Sequence, residues 1–226
     1  FMISFDYSQI ELRILAHYSN EKKLIKAFNS NEDIHSRTAA LIYGLDVSDV
    51  SEHNRRVAKT INYSIIYGAG AYRISQELKI SVKEAANIIE NYFDRYPGIK
   101  DYIDKTTNQA FKKGYVQTFF GRKRKTVNLN STNRNIVEAE KRASINMPIQ
   151  GTASELIKLA MINIFNKMNK KKMLSKMILQ VHDELLFEVP KNELDDLIIL
   201  VKNEMETAIK FRVPIKVDYN YGNNWY

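Results

Sequence analysis

The chain has 226 residues, a formal net charge of +8 at pH 7 and a sequence pI near 9.4, which suits one large domain or two small ones with a substantial core. It contains no cysteine, so a disulfide framework and a thiolate metal site are excluded, and it has no run of about 18 apolar residues that would span a membrane. The basic excess favours a polyanionic partner, nucleic acid or an anionic membrane surface, and does not choose between them.

Phe1 to Gln9 lacks a basic leader and a cleavage site, so it is not read as a signal peptide. Met2 to Phe5 predicts a buried strand ending at Asp6, which suggests that the sequence begins inside a domain. Ser8 is placed to cap a helix through about Tyr18, with Ile10, Ile14 and Leu15 on its buried side. A helix is expected over Glu21 to Phe28, and another from Ile34 to Tyr43, capped by Asp33 and ended by Gly44. Ser48 to Glu52 predicts a single helical turn. After it, Arg55, Lys59, Tyr63 and Tyr67 recur every four residues, which on a helix makes one slowly drifting row. Val57, Ala58, Ile61, Ile65 and Ile66 lie opposite, and Gly68 and Gly70 let the chain leave the helix.

Ser81-Val-Lys-Glu84 is a capping box that opens a helix running to Tyr96, before Pro97. The next helix is expected from about Ile99 to Lys113, closed by Gly114. Tyr115 to Phe120 and Lys123 to Leu129 predict two strands turning at Gly121-Arg122. A helix capped within Ser131 to Asn135 is expected to run through Asn146 and to be interrupted by Pro148. A separate amphipathic helix then covers Gln150 to Asn169. Met177 to Val189 predicts two apolar strands meeting at the polar tip His182-Asp183-Glu184. A helix from Lys191 to Lys210 and a strand from Pro214 to Tyr221 complete the chain. Helices dominate, so the expected class is α+β, an antiparallel sheet with packed helices plus a mainly helical section.

The row from Arg55 to Tyr63 rises about 12 Å at 1.5 Å per residue, roughly the reach of a nucleoside triphosphate from outer phosphate to sugar. Cations at one end and aromatics at the other suit that ligand, although an isolated row of this kind also suits a solvated basic edge. Asp6 ends a strand, and Asp183 and Glu184 sit at a hairpin tip, where they also serve as ordinary turn residues. Carboxylates in such places are costly unless paired or bound to a cation. If the two strands neighbour each other, Asp6 and Asp183 could hold one or two Mg²⁺ between them, since Mg²⁺ takes a couple of carboxylates plus phosphate oxygens and water. Arg142, Asn146 and Gln150 form a second four-residue row able to donate to phosphate, sugar or minor-groove acceptors. Arg122-Lys123-Arg124-Lys125 is the strongest electrostatic signal for a phosphate backbone.

These residues carry a resemblance. Asp6-Tyr-Ser-Gln-Ile-Glu-Leu-Arg13 resembles motif A of the family A DNA polymerases, the bacterial polymerase I type. Arg55 to Gly68 resembles motif B, the fingers helix, and Gln180-Val-His-Asp-Glu184 resembles motif C. Asp33-Ile-His35, Arg95-Tyr-Pro-Gly98, Thr118 to Arg122, Gly151-Thr152 and Asn224-Trp225 fit in order, so the likeness covers essentially the whole chain. It implies an antiparallel palm sheet, with palm at 1–30 and 131–226 and fingers at 31–130, and with the thumb absent. It implies dNMP transfer from dNTP to a primer 3′-hydroxyl with two Mg²⁺, on a DNA primer-template, by a monomer with no membrane partner.

By the same resemblance Asp6, Asp183 and the Tyr7 carbonyl hold metal, and Glu184 supports them. Glu11 is the steric gate against a ribose 2′-hydroxyl. Arg55, Lys59 and His35 hold the triphosphate, and Lys59 is also a candidate proton donor to pyrophosphate. Tyr63 stacks by the incoming sugar and Tyr67 lies near the template base. Arg142, Asn146, Gln150 and His182 touch primer and template. Tyr63 stands where many bacterial members carry Phe, which implies tolerance of dideoxynucleotides. A catalytically silent DNA-binding relative is the alternative, and a single-subunit RNA polymerase or reverse transcriptase a third. The Lys- and Asn-rich composition is similar to that of apicomplexan plastid polymerases, and the compartment stays open between bacterial cytoplasm, a phage-infected cell and an organelle.

Overall fold

The structure, a computed structural model, describes residues 1–225. Its strands are β1 (Met2–Tyr7), β2 (Tyr115–Gln117), β3 (Lys123–Lys125), β4 (Lys176–Val181), β5 (Glu184–Glu188) and β6 (Val217–Gly222). Its α-helices are α1 (Ile10–Ser19), α2 (Lys22–Asn29), α3 (Ile34–Tyr43), α4 (Glu52–Ile66), α5 (Ala71–Leu78), α6 (Val82–Arg95), α7 (Pro97–Lys113), α8 (Arg134–Lys171) and α9 (Leu194–Thr207). The chain gathers into two compact units, one made of Phe1–Arg13 with the residues from Thr152 onward, the other of Ile14–Gly151.

The first unit holds an antiparallel sheet of order β4-β5-β1-β6. Alternation along β1 turns Ile3, Phe5 and Tyr7 to a buried face and leaves Asp6 exposed, as a half-covered strand requires. The Phe5 and Phe187 rings meet edge to face at 5.6 Å, and each, fully buried, contributes about 1.5–3 kcal/mol. Helix α9 packs on this sheet, and the Tyr7 hydroxyl donates to the Met205 carbonyl at 3.0 Å. Lys167 of α8 and the buried Glu204 of α9 form an ion pair at 2.5 Å.

The second unit is helical apart from the β2–β3 hairpin. Helix α3 packs against α2, α4 and α6, while α5 packs on α4 and α6. Tyr92 and Tyr96 are wholly buried, with ring centroids 5.0 Å apart. The Arg95-Tyr-Pro-Gly98 turn is fixed by the buried Glu21, which caps α2 and accepts the Gly98 N–H at 2.8 Å. A Cβ at Gly98 would lie 2.9 Å from the Glu21 Oε2 and 3.0 Å from the Ser19 carbonyl oxygen, a crowding that glycine avoids.

The caps of α3 and α6 fall where the sequence predicts them. Asp33 accepts the N–H groups of His35 and Ser36, Gly44 ends α3 in the left-handed region at φ 68°, and the Ser81/Glu84 capping box is complete. Four expectations change. The helix across Pro148 is continuous over 38 residues: Ser144, Ile145 and Ile149 on either side of the proline are buried, and this packing outweighs the roughly 3 kcal/mol cost of an interior proline. The strands β2 and β3 are three residues each, because the Gly121 N–H bonds the Thr118 carbonyl in a tight turn and residues 127–130 form a 3₁₀ turn that buries Leu129. Helix α5 lies where no element was expected. The turn expected over Ser48 to Glu52 is 3₁₀ over Val47–Asp49, and the helix expected from Lys191 to Lys210 opens with a 3₁₀ turn over Lys191–Glu193 and is α-helical only over Leu194–Thr207.

Candidate active site

Asp6 and the motif C acids meet in the first unit. Register pairs Asp6 with Glu184 on one side and with Asp218 on the other, so three carboxylates line up across adjacent strands. Asp183 occupies the two-residue turn between β4 and β5, and its carbonyl accepts the Tyr7 N–H at 3.3 Å. The other turn residue, His182, adopts a left-handed φ of 52° and is exposed. The Asp6 carboxyl is pushed up from 3.8 to about 6, by partial desolvation first and then by Asp183, Glu184 and Asp218. The N–H of Tyr7 opposes that rise.

Such repulsion is what a divalent cation relieves. Among the described residues no three His, Asp or Glu side chains form a ready-made ligand cluster. The donor set present, the Asp6 and Asp183 carboxylates with Glu184 in register beside Asp6, fits an ion whose remaining ligands are substrate oxygens and water. Trp225 donates its Nε1–H to Glu184 Oε1 at 3.1 Å, which steadies that carboxylate. Sequence reasoning missed Asp218. It also gave no role to Arg13, which is buried and held by the Ser8 and Pro214 carbonyls at 2.8 and 2.6 Å. Burial lowers the Arg13 guanidinium to about 10, against the raising pull of Asp218 and Glu206. An acid in a final strand is visible in sequence; its register partner is not.

The triphosphate candidates gather in the second unit. Arg55, Lys59 and Tyr63 lie on α4, whose first turn is capped by Ser51 accepting the Asn54 N–H. Tyr67 is the residue that ends α4, and its N–H bonds the Tyr63 carbonyl at 3.0 Å. Asp33 does double work: it caps α3 and accepts Arg55 Nε at 2.6 Å. That hydrogen bond lifts the affinity of Arg55 for its proton, outweighing a small opposing cost of desolvation. The carboxyl of Asp33 is lowered overall, desolvation being outweighed by Arg55 and by the His35 and Ser36 N–H groups.

His35 is 2% exposed and its ring lies 6.0 Å from that of Tyr63. Burial lowers its pKa from 6.5 to about 4, with Asp33 opposing and Arg55 and Lys59 assisting, so it is neutral at pH 7. The Asn62 amide nitrogen lies 3.2 Å from His35 Nδ1 and can only donate, which leaves the ring proton on Nε2. Asn62, wholly buried, also bonds Thr38, whose hydroxyl meets the Tyr96 hydroxyl at 3.1 Å. Asn62 was missed; a lone amide on the apolar side of α4, next to Ile61, was the available signal.

Arg142, Asn146 and Gln150 share one uninterrupted helix. Arg142 and Gln150 are exposed, whereas Asn146 is half-buried and its Oδ1 has no hydrogen-bond partner. Gly68, at φ 67°, lies so close to Arg142 that a Cβ there would sit 2.8 Å from Arg142 Cγ. The end of the α4 row is thereby packed against the second row. Glu11 is half-buried in the first turn of α1.

The profile of DNA polymerase family A matches residues 1–226. The chain is 48% identical over 225 residues to DNA polymerase I of Caldicellulosiruptor bescii, covering 100% of this chain and 26% of that protein. It is 45% identical over 221 residues to DNA polymerase I of Geobacillus stearothermophilus, covering 98% and 25%. It is 43% identical over 224 residues to the thermostable DNA polymerase I of Thermus thermophilus, covering 99% and 27%. The chain thus spans about a quarter of the length of these relatives. Among solved structures it is similar to the POL domain of Pol1 from M. smegmatis in complex with DNA primer-template and dNTP. That match has a TM-score of 0.96 and 44% identity, over 99% of this chain and 40% of that one. The chain belongs to DNA polymerase family A.

Proposed function

We propose that this chain is the palm and fingers portion of a template-directed DNA polymerase that transfers dNMP from dNTP to a primer 3′-hydroxyl. The palm comprises 1–30 and 131–226 and the fingers 31–130. The observation that carries the reading is the alignment of Asp6 with Glu184 across β1 and β5, with Asp183 in the adjoining turn. A silent DNA-binding relative would have no use for crowded carboxylates that raise one another's proton affinity. The similarity to bacterial DNA polymerase I and the primer-template and dNTP bound in the similar POL domain support the same reading.

Asp6 and Asp183, with the Tyr7 carbonyl, would hold Mg²⁺, two ions in the full assembly, and Glu184 would support them. When bound, the ions activate the attacking hydroxyl and stabilise charge on the leaving pyrophosphate. Arg55 and Lys59 hold triphosphate oxygens through charge-assisted hydrogen bonds, and Lys59 gives a proton to departing pyrophosphate. His35, neutral and oriented by Asn62, offers its Nε2–H to the same group. Tyr63 packs beside the incoming sugar, Glu11 fills the space a 2′-hydroxyl would need, and Tyr67 lies by the template base. Arg142, Asn146, Gln150 and His182 donate to primer and template near the newest pair.

Primer extension by the full-length protein tests this. Asp183→Ala abolishes extension while duplex affinity is kept or increased, because a negative charge near phosphate is removed. Equal extension by the variant and the parent would refute the assignment.

A further inference from the structure

The turn between β2 and β3 carries chemistry that the proposed reaction does not use. Phe119 and Phe120 sit there side by side, 43% and 55% exposed, with ring centroids 5.4 Å apart. A lone exposed aromatic is ordinary, but this pair stands on a rigid mount. Thr118 beneath them is buried, its hydroxyl accepts the Arg122 N–H at 3.1 Å, and its N–H bonds the Arg122 carbonyl at 3.0 Å. A Cβ at Gly151 of α8 would lie 2.5 Å from the Thr118 methyl, so the turn is seated directly on that helix.

The neighbours of the pair are cationic. Arg124 is committed to Glu140 at 2.5 Å, and Lys123 lies 4.4 Å above the Tyr115 ring. Arg122, Lys123 and Lys125 stand exposed. Behind Phe119 opens a cleft of ≈ 720 Å³ lined by His17, Tyr18, Tyr102 and Lys105, among others. Phe119 meets His17 edge to face at 5.6 Å, and Tyr18 stacks on Tyr102 at 5.9 Å. The one carboxylate at this cleft, Asp101, lies 4.0 Å from the Lys105 ammonium.

We infer that the Phe119–Phe120 turn and the aromatic cleft beside it are a stacking site for unpaired bases of a single-stranded nucleic acid. Partly exposed aromatic rings beside a basic run are the arrangement that holds single strands without reading their sequence. A duplex does not suit it, because paired bases present edges in the grooves and cover their faces with each other. Under the polymerase reading, on which this rests, the strand is the unpaired template ahead of the primer terminus.

Equilibrium binding of labelled primer–templates to the full-length protein tests the site without requiring catalysis. Templates carry a single unpaired nucleotide, an overhang of about eight nucleotides, or the same overhang built of abasic residues, which keeps phosphates and removes rings. The Phe119→Ala/Phe120→Ala double variant binds the long overhang about fivefold or more weakly than the parent, the loss expected for one base–aromatic stack. It binds the single-nucleotide template and the abasic overhang as the parent does. The Phe119→Tyr/Phe120→Tyr variant, which keeps both rings, binds like the parent and separates stacking from folding.

Equal losses on all three templates, or no loss on any, would overturn the site. If extension fails while the overhang effect persists, the polymerase reading falls and the stacking site stands. The converse outcome removes the stacking site alone.

Discussion

Replacing Asp6 with Asn should make the protein more stable, not less, when divalent cations are absent. Asp6 carries its carboxylate opposite Glu184 and Asp218 and beside Asp183, and its pKa stands at about 6 against an ordinary 3.8. At about 1.36 kcal/mol per pH unit this rise sets a ceiling of roughly 3 kcal/mol. The side chain is open to solvent, and screening reduces the effect to about 1 kcal/mol. The folded state binds the proton more tightly than the unfolded one, so stability is complete below pH 3.8 and declines as pH rises toward 6. Asp6→Asn removes that decline. Thermal unfolding in EDTA at pH 7 should therefore show the variant about 2–4 °C above the parent, and the gap should close near pH 4. Added Mg²⁺ should raise the parent's midpoint by selective binding to the native state and leave the variant unmoved. A variant less stable at pH 7, or a gain independent of pH, would refute the carboxylate-crowding argument.

Gly68→Ala forces a side chain into the left-handed region at φ 67° and against Arg142 Cγ at 2.8 Å; a loss of about 1–3 kcal/mol in urea unfolding is expected. Asn62→Ala leaves the buried Thr38 hydroxyl and His35 Nδ1 without their shared partner and should cost about 1–3 kcal/mol, with a raised KM for dNTP in primer extension. The parent should incorporate ddNTPs almost as readily as dNTPs, and Tyr63→Phe should restore rejection; strong rejection by the parent in a chain-termination assay would remove Tyr63 from that role.

What could be read in advance was local. Asp33 and Gly44 bracket α3, and Ser81 with Glu84 opens α6, because caps are decided by residues three or four apart. The approach of Asp6 to the motif C acids was conditional in sequence, since it depended on which strands neighbour each other; β5 pairing directly with β1 meets that condition. Asp218 stayed hidden because its significance is a register, set by pairing across more than two hundred residues. Pro148 misled for the opposite reason. Its local penalty is plain in the sequence, while the burial of Ser144, Ile145 and Ile149 that overrides it is long-range. Asn62 looked like an ordinary helix residue until α3 placed His35 and Thr38 against it.

The row of acids across β5, β1 and β6 has a consequence for how the sheet finds its alignment. Side chains alternate with a period of two, so sliding β1 by one position would turn Asp6 inward among Phe5's neighbours and push Phe5 out to water. Mispaired sheets would then entomb a charge, an error far costlier than a lost methyl group. Asp6, proposed to hold metal, and the acids beside it thus also act as a proof-mark for correct assembly, and neutralising them should loosen folding fidelity even where it raises equilibrium stability.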